Sequence, residues 1–422
     1  MATTPTINEQ TTPAATSTVA TPGLLVSLSP LAPDSLAAML ANLAAAFPEQ
    51  DLLVATPDGT PSAPASAARL QLISYTPPAP TSTTWVLTAA DYLNTYKLAD
   101  EHHATACLLL GPEAQSLAPD ALRALASAVL DHHADLVTPY YSLGPHDGLV
   151  NSAVLYPVTR ALFAARPRFP LAVDLAFSPR MAERLAVAAQ RQTAAGQNSA
   201  LIWPVAEAAA ASLAIAEVPA GPRALPPPNA ADLNSLLAQV AGSLFADVDA
   251  KAAFWQRARL AYPPRPNLHP AQPPAPGSRT ESATSAAEQQ APDVAPMLDS
   301  FRLAFANLHE IWSLVLPPNS LLGLKKLSLL SADTFRMPDA LWARIVYDFI
   351  LAWRLRTLNR GHLLGALTPL YLAWVASHLL QTAPGAPDYL APETHIQNLA
   401  AAFEADKPYL VSRWRWPDRF NP

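Results

Sequence analysis

Short apolar runs alternate with amphipathic stretches in the first third of the chain, and this rhythm constrains the fold more than any other feature. Residues 24–28 read LLVSL, a helical pattern covers 36–47, and 51–55 read DLLVA before the turn signal TPDG at 56–59. Strand-like runs at 70–75, 105–110 and 134–140 then alternate with helical patterns at 89–103 and 121–132. Such alternation predicts an α/β domain built on a sheet.

The ends of the predicted strands are where a functional site is expected. Open α/β sheets bind ligands beyond the carboxyl ends of their strands. The segments to inspect are therefore residues 29–35, 56–60, 111–116 and 138–151.

The second half of the chain has a different pattern. Residues 262–296 are rich in Pro, Ser, Thr, Gln and Ala, a composition that cannot bury a core and indicates a linker. Helical periodicity follows at 297–316, 320–330, 339–358, 361–381 and 395–404. The predicted organisation is a disordered tail at 1–22, an α/β domain at 23–261, the linker at 262–296, an all-α domain at 297–410 and a C-terminal tail at 411–422.

Charge and hydropathy exclude several classes of protein. The net charge is −6 and 14% of the residues are charged, whereas an average soluble domain has about 25%. Binding to nucleic acid needs a basic stripe, and no run of Lys and Arg exceeds two residues.

The most apolar stretch, 363–377, is shorter than the roughly 20 residues that cross a bilayer, so we expect a buried core helix and no membrane span. The first 22 residues lack the basic start and apolar core of a signal peptide, and we predict a cytoplasmic protein.

One region is more specific than a generic α/β pattern. Residues 135–160 read DLVTPYYSLGPHDGLVNSAVLYPVTR, and 166–179 read RPRFPLAVDLAFSP. This region resembles bacterial GT-A glycosyltransferases related to glucosyl-3-phosphoglycerate synthase and mannosylglycerate synthase. The features that match are the strand, the DG-x-x-N loop, the YP-x-TRAL helix and the segment that corresponds to QPIGGDFGFS. The resemblance continues at 232–245 and 339–376 and covers roughly residues 24–410, apart from the linker.

The resemblance implies a GT-A mixed sheet with helices on both faces, followed by an all-α C-terminal domain. It also implies transfer of a sugar from a nucleoside-diphosphate sugar to a small or envelope-type acceptor. In the family, an acidic D-x-D motif holds a divalent cation, because hard cations prefer oxygen ligands. The cation neutralises the charge that develops on the leaving diphosphate.

The metal motif is altered in this chain. Residues 111–116 read GPEAQS, so Gly111 and Glu113 stand where the family has two acids. Glu113 either contacts the nucleotide sugar and a cation or is a solvated loop acid, and one monodentate carboxylate holds Mg²⁺ or Mn²⁺ poorly. The family's metal-ligand histidine aligns with Ala224, and His146 is the single histidine in residues 134–268. A Mg²⁺ or Mn²⁺ cofactor is therefore doubtful.

Several other positions of the family pattern carry polar side chains here. Asp58 matches a position that contacts the nucleotide, although Asp-Gly is also an ordinary turn, and both interpretations stay open. Asp174 matches the acid of the GGD-like segment, close to the reacting sugar, and is the predicted catalytic residue. The predicted acceptor-binding residues are Asp147, Asn151, Thr159 and Arg160.

Two hypotheses about function follow. The first is a glycosyltransferase, metal-independent or with an unusual cation site. It would use a nucleoside-diphosphate sugar and a small acceptor. Leu149 replaces an arginine of the phosphoglycerate-using relatives, which argues against phosphoglycerate as that acceptor. The second is a catalytically degenerate pseudo-glycosyltransferase that acts as a binding partner, with its helical domain contacting a paralogue or a second copy of the chain.

Overall fold

The protein is built on one seven-stranded sheet. The computed structural model describes residues 23–57, 69–76, 86–197, 200–224, 233–258 and 293–416. The strands are β1 (Leu24–Leu28), β2 (Leu52–Pro57), β3 (Leu70–Tyr75), β4 (Ala106–Leu110), β5 (Leu136–Tyr141), β6 (Asp174–Phe177) and β7 (Ile215–Gly221). Their order is β3-β2-β1-β4-β6-β5-β7, and β6 runs antiparallel to its neighbours β4 and β5 while the other pairs are parallel.

The central strands have the composition that a doubly covered sheet requires. Every residue of β1 and of β4 is buried. Successive side chains of a strand point to opposite faces, so both faces of the sheet are covered, and nearly continuous apolar runs are typical of such parallel strands. The five strands predicted from sequence are confirmed, whereas β6 and β7 were not predicted.

Six helices accompany the sheet. They are α1 (Pro33–Ala46), α2 (Ala89–Glu101), α3 (Pro119–Leu130), α4 (Tyr156–Phe163), α5 (Pro179–Ala194) and α6 (Pro204–Ala210). Helix α1 is tied to the loop after β4, since Asn42 Nδ2 donates to the carbonyls of Gln115 and Leu117, both at 3.1 Å. The helix α5 begins at a Ser178 cap, whose Oγ accepts the Met181 N–H at 3.2 Å.

The helical region contains eight helices in the described part of the chain. They are α7 (Leu233–Ala250), α8 (Ala252–Trp255), α9 (Ala295–Asn307), α10 (His309–Val315), α11 (Pro318–Ser328), α12 (Asp339–Leu355), α13 (Arg360–Thr382) and α14 (Pro392–Arg415). The single helix expected at 297–316 is two helices, α9 and α10. Helix α14 extends to Arg415, so the tail predicted from residue 411 begins inside a helix, where Trp414 is buried against Trp255 with ring centroids 4.9 Å apart.

The most apolar helix lies inside the protein. By length and composition α13 could cross a membrane, but 78% of its most apolar window is buried in the fold. It is therefore a core helix, as the sequence predicts. Buried apolar residues of the sheet and of the helical region form one continuous core. The predicted fold class, a mixed α/β sheet followed by an all-α region, is confirmed.

Candidate functional site

The strands bring three chain segments to one edge of the sheet. Because β4 and β6 are antiparallel, Leu110 at the end of β4 pairs with Asp174 at the start of β6. Tyr141 ends the parallel strand β5, and its hydroxyl reaches Asp174. The loop after β4, the start of β6 and the loop after β5 therefore meet where α/β proteins bind ligands.

The carboxylate of Asp174 is fully buried and accepts four hydrogen bonds. Its Oδ1 accepts from Gly111 N at 3.2 Å and from Arg223 Nη2 at 3.1 Å. Its Oδ2 accepts from Arg223 Nε and from the Tyr141 hydroxyl, both at 2.8 Å. A carboxylate offers about four lone-pair sites. Asp174 lies at the expected edge, with its oxygens committed to the protein itself.

Arg223 fills the space between β6 and the loop after β4. Its side chain is 0% exposed, and its Nε and Nη2 form a fork on Asp174. The other bonds run from Nη2 to the Pro112 carbonyl (2.6 Å) and from Nη1 to the Glu113 carbonyl (2.5 Å), the Ser116 hydroxyl (3.1 Å) and the Ala224 carbonyl (2.8 Å). A guanidinium has five N–H donors. All three nitrogens are engaged by the protein.

The backbone at the end of β7 positions this arginine. Gly221 has φ +68°, a left-handed conformation that favours glycine, and the chain turns there so that residues 222–224 cross the loop 111–116. Burial alone would lower the pKa of Arg223, but the Asp174 carboxylate raises it, so the guanidinium stays charged. Burial and then Asp174 raise the pKa of Tyr141 well above its usual range, which keeps the phenol a donor.

Gly111 is required by the way β6 approaches. A Cβ at this position would lie 2.5 Å from the carbonyl oxygen of Val173 and 3.2 Å from the Val173 side chain. The acid that the family pattern has at residue 111 does not fit this backbone. Gly111 is thus part of a close packing of the two segments.

The side chain of Glu113 points away from this cluster. The residue has φ 59° and ψ 21°, it is exposed, and its Oε2 accepts from Gln115 Nε2 at 2.7 Å. Its backbone carbonyl accepts from Arg223, whereas its carboxylate makes no hydrogen bond to that guanidinium and acts on it through charge alone. Among the described residues there is no group of three or more His, Cys, Asp or Glu side chains that could hold a metal ion. The donors present do not fit the Mg²⁺ or Mn²⁺ ion that the resemblance implies, because a fixed cationic side chain occupies the carboxylate.

The nucleotide side of the site is described in part. Asp58 and residues 81–85 lie outside the described residues. The start of the loop after β1 is anchored to the sheet. Ser29 is buried and donates its N–H to the Leu110 carbonyl at 2.9 Å, and the Tyr75 hydroxyl donates to the Leu28 carbonyl at 2.5 Å.

Two of the predicted acceptor residues lie in the connection after β5. Asp147 is exposed, and its Oδ2 accepts the Gly144 N–H at 3.1 Å in a tight turn. Asn151 begins a turn of π-helix at Asn151–Leu155, an irregularity frequently found at functional sites. Its Nδ2 donates to the Arg168 carbonyl at 2.9 Å, while its buried Oδ1 makes no hydrogen bond to any described residue.

The other two predicted acceptor residues face the helical region. Thr159 is buried within α4. Arg160 pairs with Glu404 of α14 through two bonds of 2.7 and 3.1 Å, and its Nη1 donates to Gln397 Oε1 at 2.6 Å. This guanidinium therefore joins α4 to α14. Its acceptor role stays a prediction.

Sequence reasoning missed Arg223, Tyr141 and Arg168. The sequence analysis considers the neighbouring Ala224 as the position of the family's histidine and assigns no role to Arg223. Arg168 is buried and joins three elements. Its Nε reaches Glu393 Oε2 of α14 at 3.1 Å, its Nη2 donates to Ser152 Oγ of the π-helical turn at 2.9 Å, and its N–H donates to Glu217 of β7.

Comparison with known proteins gives one kind of match. No protein-family model matches the chain, and no curated protein matches it. Among solved structures, a mycobacterial protein matches with 15% identity over 54% of this chain and 74% of its own, at a TM-score of 0.35.

The structures of glucosyl-3-phosphoglycerate synthase from Mycobacterium tuberculosis match similarly. The complex with Mn²⁺, UDP and phosphoglyceric acid shows 15% identity over 54% of this chain and 78% of the synthase, at a TM-score of 0.34. Another structure of the synthase shows 14% identity over 54% of this chain and 80% of the synthase, at a TM-score of 0.34. Similarity at this level carries no inference about activity, which has to be argued from the site.

Proposed function

We propose that this chain is a glycosyltransferase-like protein whose donor site has been converted into a buried ion pair, and that it acts by binding a partner rather than by transferring sugar. The observation that carries the proposal is Arg223, whose guanidinium is bound to Asp174 and to the loop 111–116 where the resemblance expects a cation.

Transfer would need groups that are free to respond to the diphosphate. A leaving diphosphate is stabilised by a cation or by donors aimed at the developing charge. The nitrogens of Arg223 already donate to protein oxygens, and the oxygens of Asp174 already accept four bonds. Releasing either partner would leave a buried charge uncompensated, which costs about 3–5 kcal/mol.

The surface of the helical region supports a binding role. Of the large apolar side chains that are exposed in the described residues, Val187 alone belongs to the sheet region. The others all lie in the helical region: Leu303, Leu314, Leu322, Leu329, Leu355, Tyr389 and Trp416. Helices α9, α10 and α11, which carry Leu303, Leu314 and Leu322, pack against one another, and neighbouring exposed apolar side chains mark interaction sites. We infer a contact with a paralogue or with a second copy of the chain.

A metal-independent transferase is the second candidate. It is favoured by the loop 142–151, which starts beside Asp174 and ends at the buried, unpaired Oδ1 of Asn151. Such an enzyme would take a nucleoside-diphosphate sugar and a small acceptor, in the cytoplasm as the sequence predicts. The synthase structures contain UDP, Mn²⁺ and phosphoglyceric acid, and those ligands belong to that protein.

Thermal unfolding with UDP or GDP, with and without Mn²⁺, separates the two candidates. A ligand at 100 times its Kd stabilises a protein by about 2.7 kcal/mol, so a bound nucleotide raises the Tm measurably. We expect no change in Tm and no hydrolysis of UDP-sugars or GDP-sugars. A clear rise in Tm with a nucleoside diphosphate, or release of sugar from any donor, would contradict the proposal. The same assay with Asp174→Asn checks that a response comes from this site.

A further inference from the structure

The end of the molecule formed by three helix termini is strongly basic. The C-terminal part of α8, the connection between α12 and α13, and the last turn of α14 lie together there. Residues 252–258, 353–362 and 410–416 contain no Asp or Glu. They contain six arginines, which are Arg257, Arg354, Arg356, Arg360, Arg413 and Arg415. We call these three segments the arginine end.

Contacts between the segments show that these charges share one surface. The Arg354 guanidinium lies 4.2 Å above the Trp414 ring and donates to the Trp414 carbonyl at 2.6 Å. Trp414 packs edge-on against Trp255, and Arg415 Nε donates to Gln256 Oε1 at 3.1 Å. The last turn of α14 is therefore joined to both other segments.

Four of these six arginines are exposed, namely Arg257, Arg356, Arg360 and Arg415. Ten other basic side chains form ion pairs with carboxylates, whereas for these four no carboxylate of the described residues lies within 4.0 Å. In a chain of net charge −6, this concentration of positive charge makes one end of the molecule opposite in sign to the whole.

Apolar side chains are exposed among the arginines. Leu355 is 48% exposed beside Arg354 and Arg356, and Trp416 is 59% exposed beside Arg415. Guanidinium groups bind phosphate oxygens in a bidentate manner. Tryptophan prefers the interface between water and lipid, where its ring is partly buried and its N–H stays hydrated. Nucleic acid would pair with the charges alone and leave the leucine unused.

We propose that the arginine end is a docking surface for an anionic membrane, with the arginines on lipid phosphates and with Leu355 and Trp416 at the headgroup level. This inference goes beyond the proposed function, because it does not use the Arg223 cluster. It assigns Leu355 and Trp416 to lipid, which leaves Leu303, Leu314, Leu322 and Leu329 as the exposed leucines of the partner contact. The protein would be held on the membrane surface peripherally, without crossing it.

Flotation of the full chain with vesicles tests this docking. We compare phosphatidylcholine vesicles with vesicles of equal parts phosphatidylcholine and phosphatidylglycerol, at low and high salt. Each basic side chain near an anionic surface contributes about fivefold to partitioning, so Arg356→Gln, Arg360→Gln and Arg415→Gln together should weaken binding about 100-fold. The control carries Arg191→Gln, Lys325→Gln and Lys326→Gln, which removes three charges elsewhere and should bind like the unchanged protein.

The expected result is binding to the anionic vesicles alone, weakened by salt and lost in the arginine variant. Absence of binding to anionic vesicles at low salt overturns the proposal. So does an equal loss in the control variant, which would show attraction without a defined surface. Binding of a DNA duplex through the same arginines, without binding to vesicles, would also overturn it. The circular dichroism spectrum of each variant shows that it is folded.

Discussion

At the scale of single residues, the Arg223–Asp174 pair is a buried structural contact at the strand-end edge of the sheet. The two side chains and the Tyr141 hydroxyl form a closed set in which every charge has a partner. Buried ion pairs of this kind contribute little net stability but are costly to break, because the remaining charge is left in the interior. Replacing one residue of the pair should therefore destabilise the protein more than replacing both, and this difference is the pair's mutational signature.

A double-mutant cycle measures this signature. Arg223→Met should lower the free energy of unfolding by about 3–5 kcal/mol, since Asp174 would stay buried without its cation. Adding Asp174→Asn to that variant should restore part of the loss, because the amide is neutral. Urea unfolding of both single variants and the double variant gives the coupling energy. If the double variant is as unstable as the sum of the singles, the two groups do not act as a pair.

A second residue-scale prediction concerns Glu217, which lies on β7 and accepts the Arg168 N–H. Burial raises its pKa to about 7 from the usual 4.5. The folded protein therefore holds this proton to higher pH than the unfolded chain. The free energy of unfolding should fall as the pH rises from about 4.5 to 7, by at most about 3 kcal/mol, and the loss is complete above that range.

Glu217→Gln removes that titration while keeping an acceptor for the Arg168 N–H. The variant should match the unchanged protein at about pH 4.5 and exceed it in stability at about pH 8, as measured by urea unfolding. The exposed Glu183 is the control position, and Glu183→Gln should leave the pH dependence unaltered. A Glu217→Gln variant with the full pH-dependent fall would assign the effect to another group.

At the scale of elements, the junction between the sheet and the helical region depends on a proline. In a regular α-helix the Ala153 carbonyl would accept from the N–H of residue 157, but Pro157 has none. The Trp342 indole of α12 donates to this carbonyl at 2.8 Å. The π-helical turn after β5 is thus tied to a distant helix.

Replacing this tryptophan should loosen the junction. Trp342→Phe removes this hydrogen bond to the Ala153 carbonyl, and the loss of a buried hydrogen-bond partner costs about 1–3 kcal/mol. Tyr389→Phe, at an exposed position of the same region, should change stability by less than about 0.5 kcal/mol. Thermal unfolding followed by circular dichroism makes the comparison. Equal Tm values for the two variants would mean that the indole bond contributes nothing.

The elements themselves were largely readable from the sequence. Strands β1 and β4 were predictable because each is an uninterrupted apolar run of strand length. Strand β6 was not, because its four residues DLAF carry no alternation and its first residue is an acid. The break between helices α9 and α10 also has no counterpart in the hydrophobic periodicity of the sequence. The placement of the candidate site at the carboxyl ends of the strands stays a prediction. Arg223 could not be assigned from the sequence, since the contact between residues 223 and 174 depends on tertiary structure.

At the scale of the whole molecule, the sheet and the helices share one continuous core. Most tryptophans that are described and buried lie in the helical region, at 255, 312, 342, 353, 374 and 414, with Trp203 in the sheet region. Tryptophan fluorescence therefore reports mainly on the helices. A destabilising substitution in the sheet should nevertheless lower the stability of the helices as well, if the core unfolds as a single unit.

A substitution in the centre of the sheet tests this unity. Leu108 of β4 is fully buried, and Leu108→Ala should cost about 3 kcal/mol. We expect the urea midpoint measured by tryptophan fluorescence to fall together with the midpoint measured by circular dichroism. Leu329→Ala, at a side chain that is 79% exposed, should leave both unchanged. Separate midpoints in the Leu108→Ala variant would indicate two units that unfold independently.

The contact between Gly111 and Val173 couples three positions of this chain. A carboxylate at residue 111 would meet the Val173 carbonyl, and even a relaxed backbone would present it to a carboxylate already held by Arg223. Building a cation site here would therefore require simultaneous change at 111, at 173 and at 223, so a single substitution at any one of them does not create one.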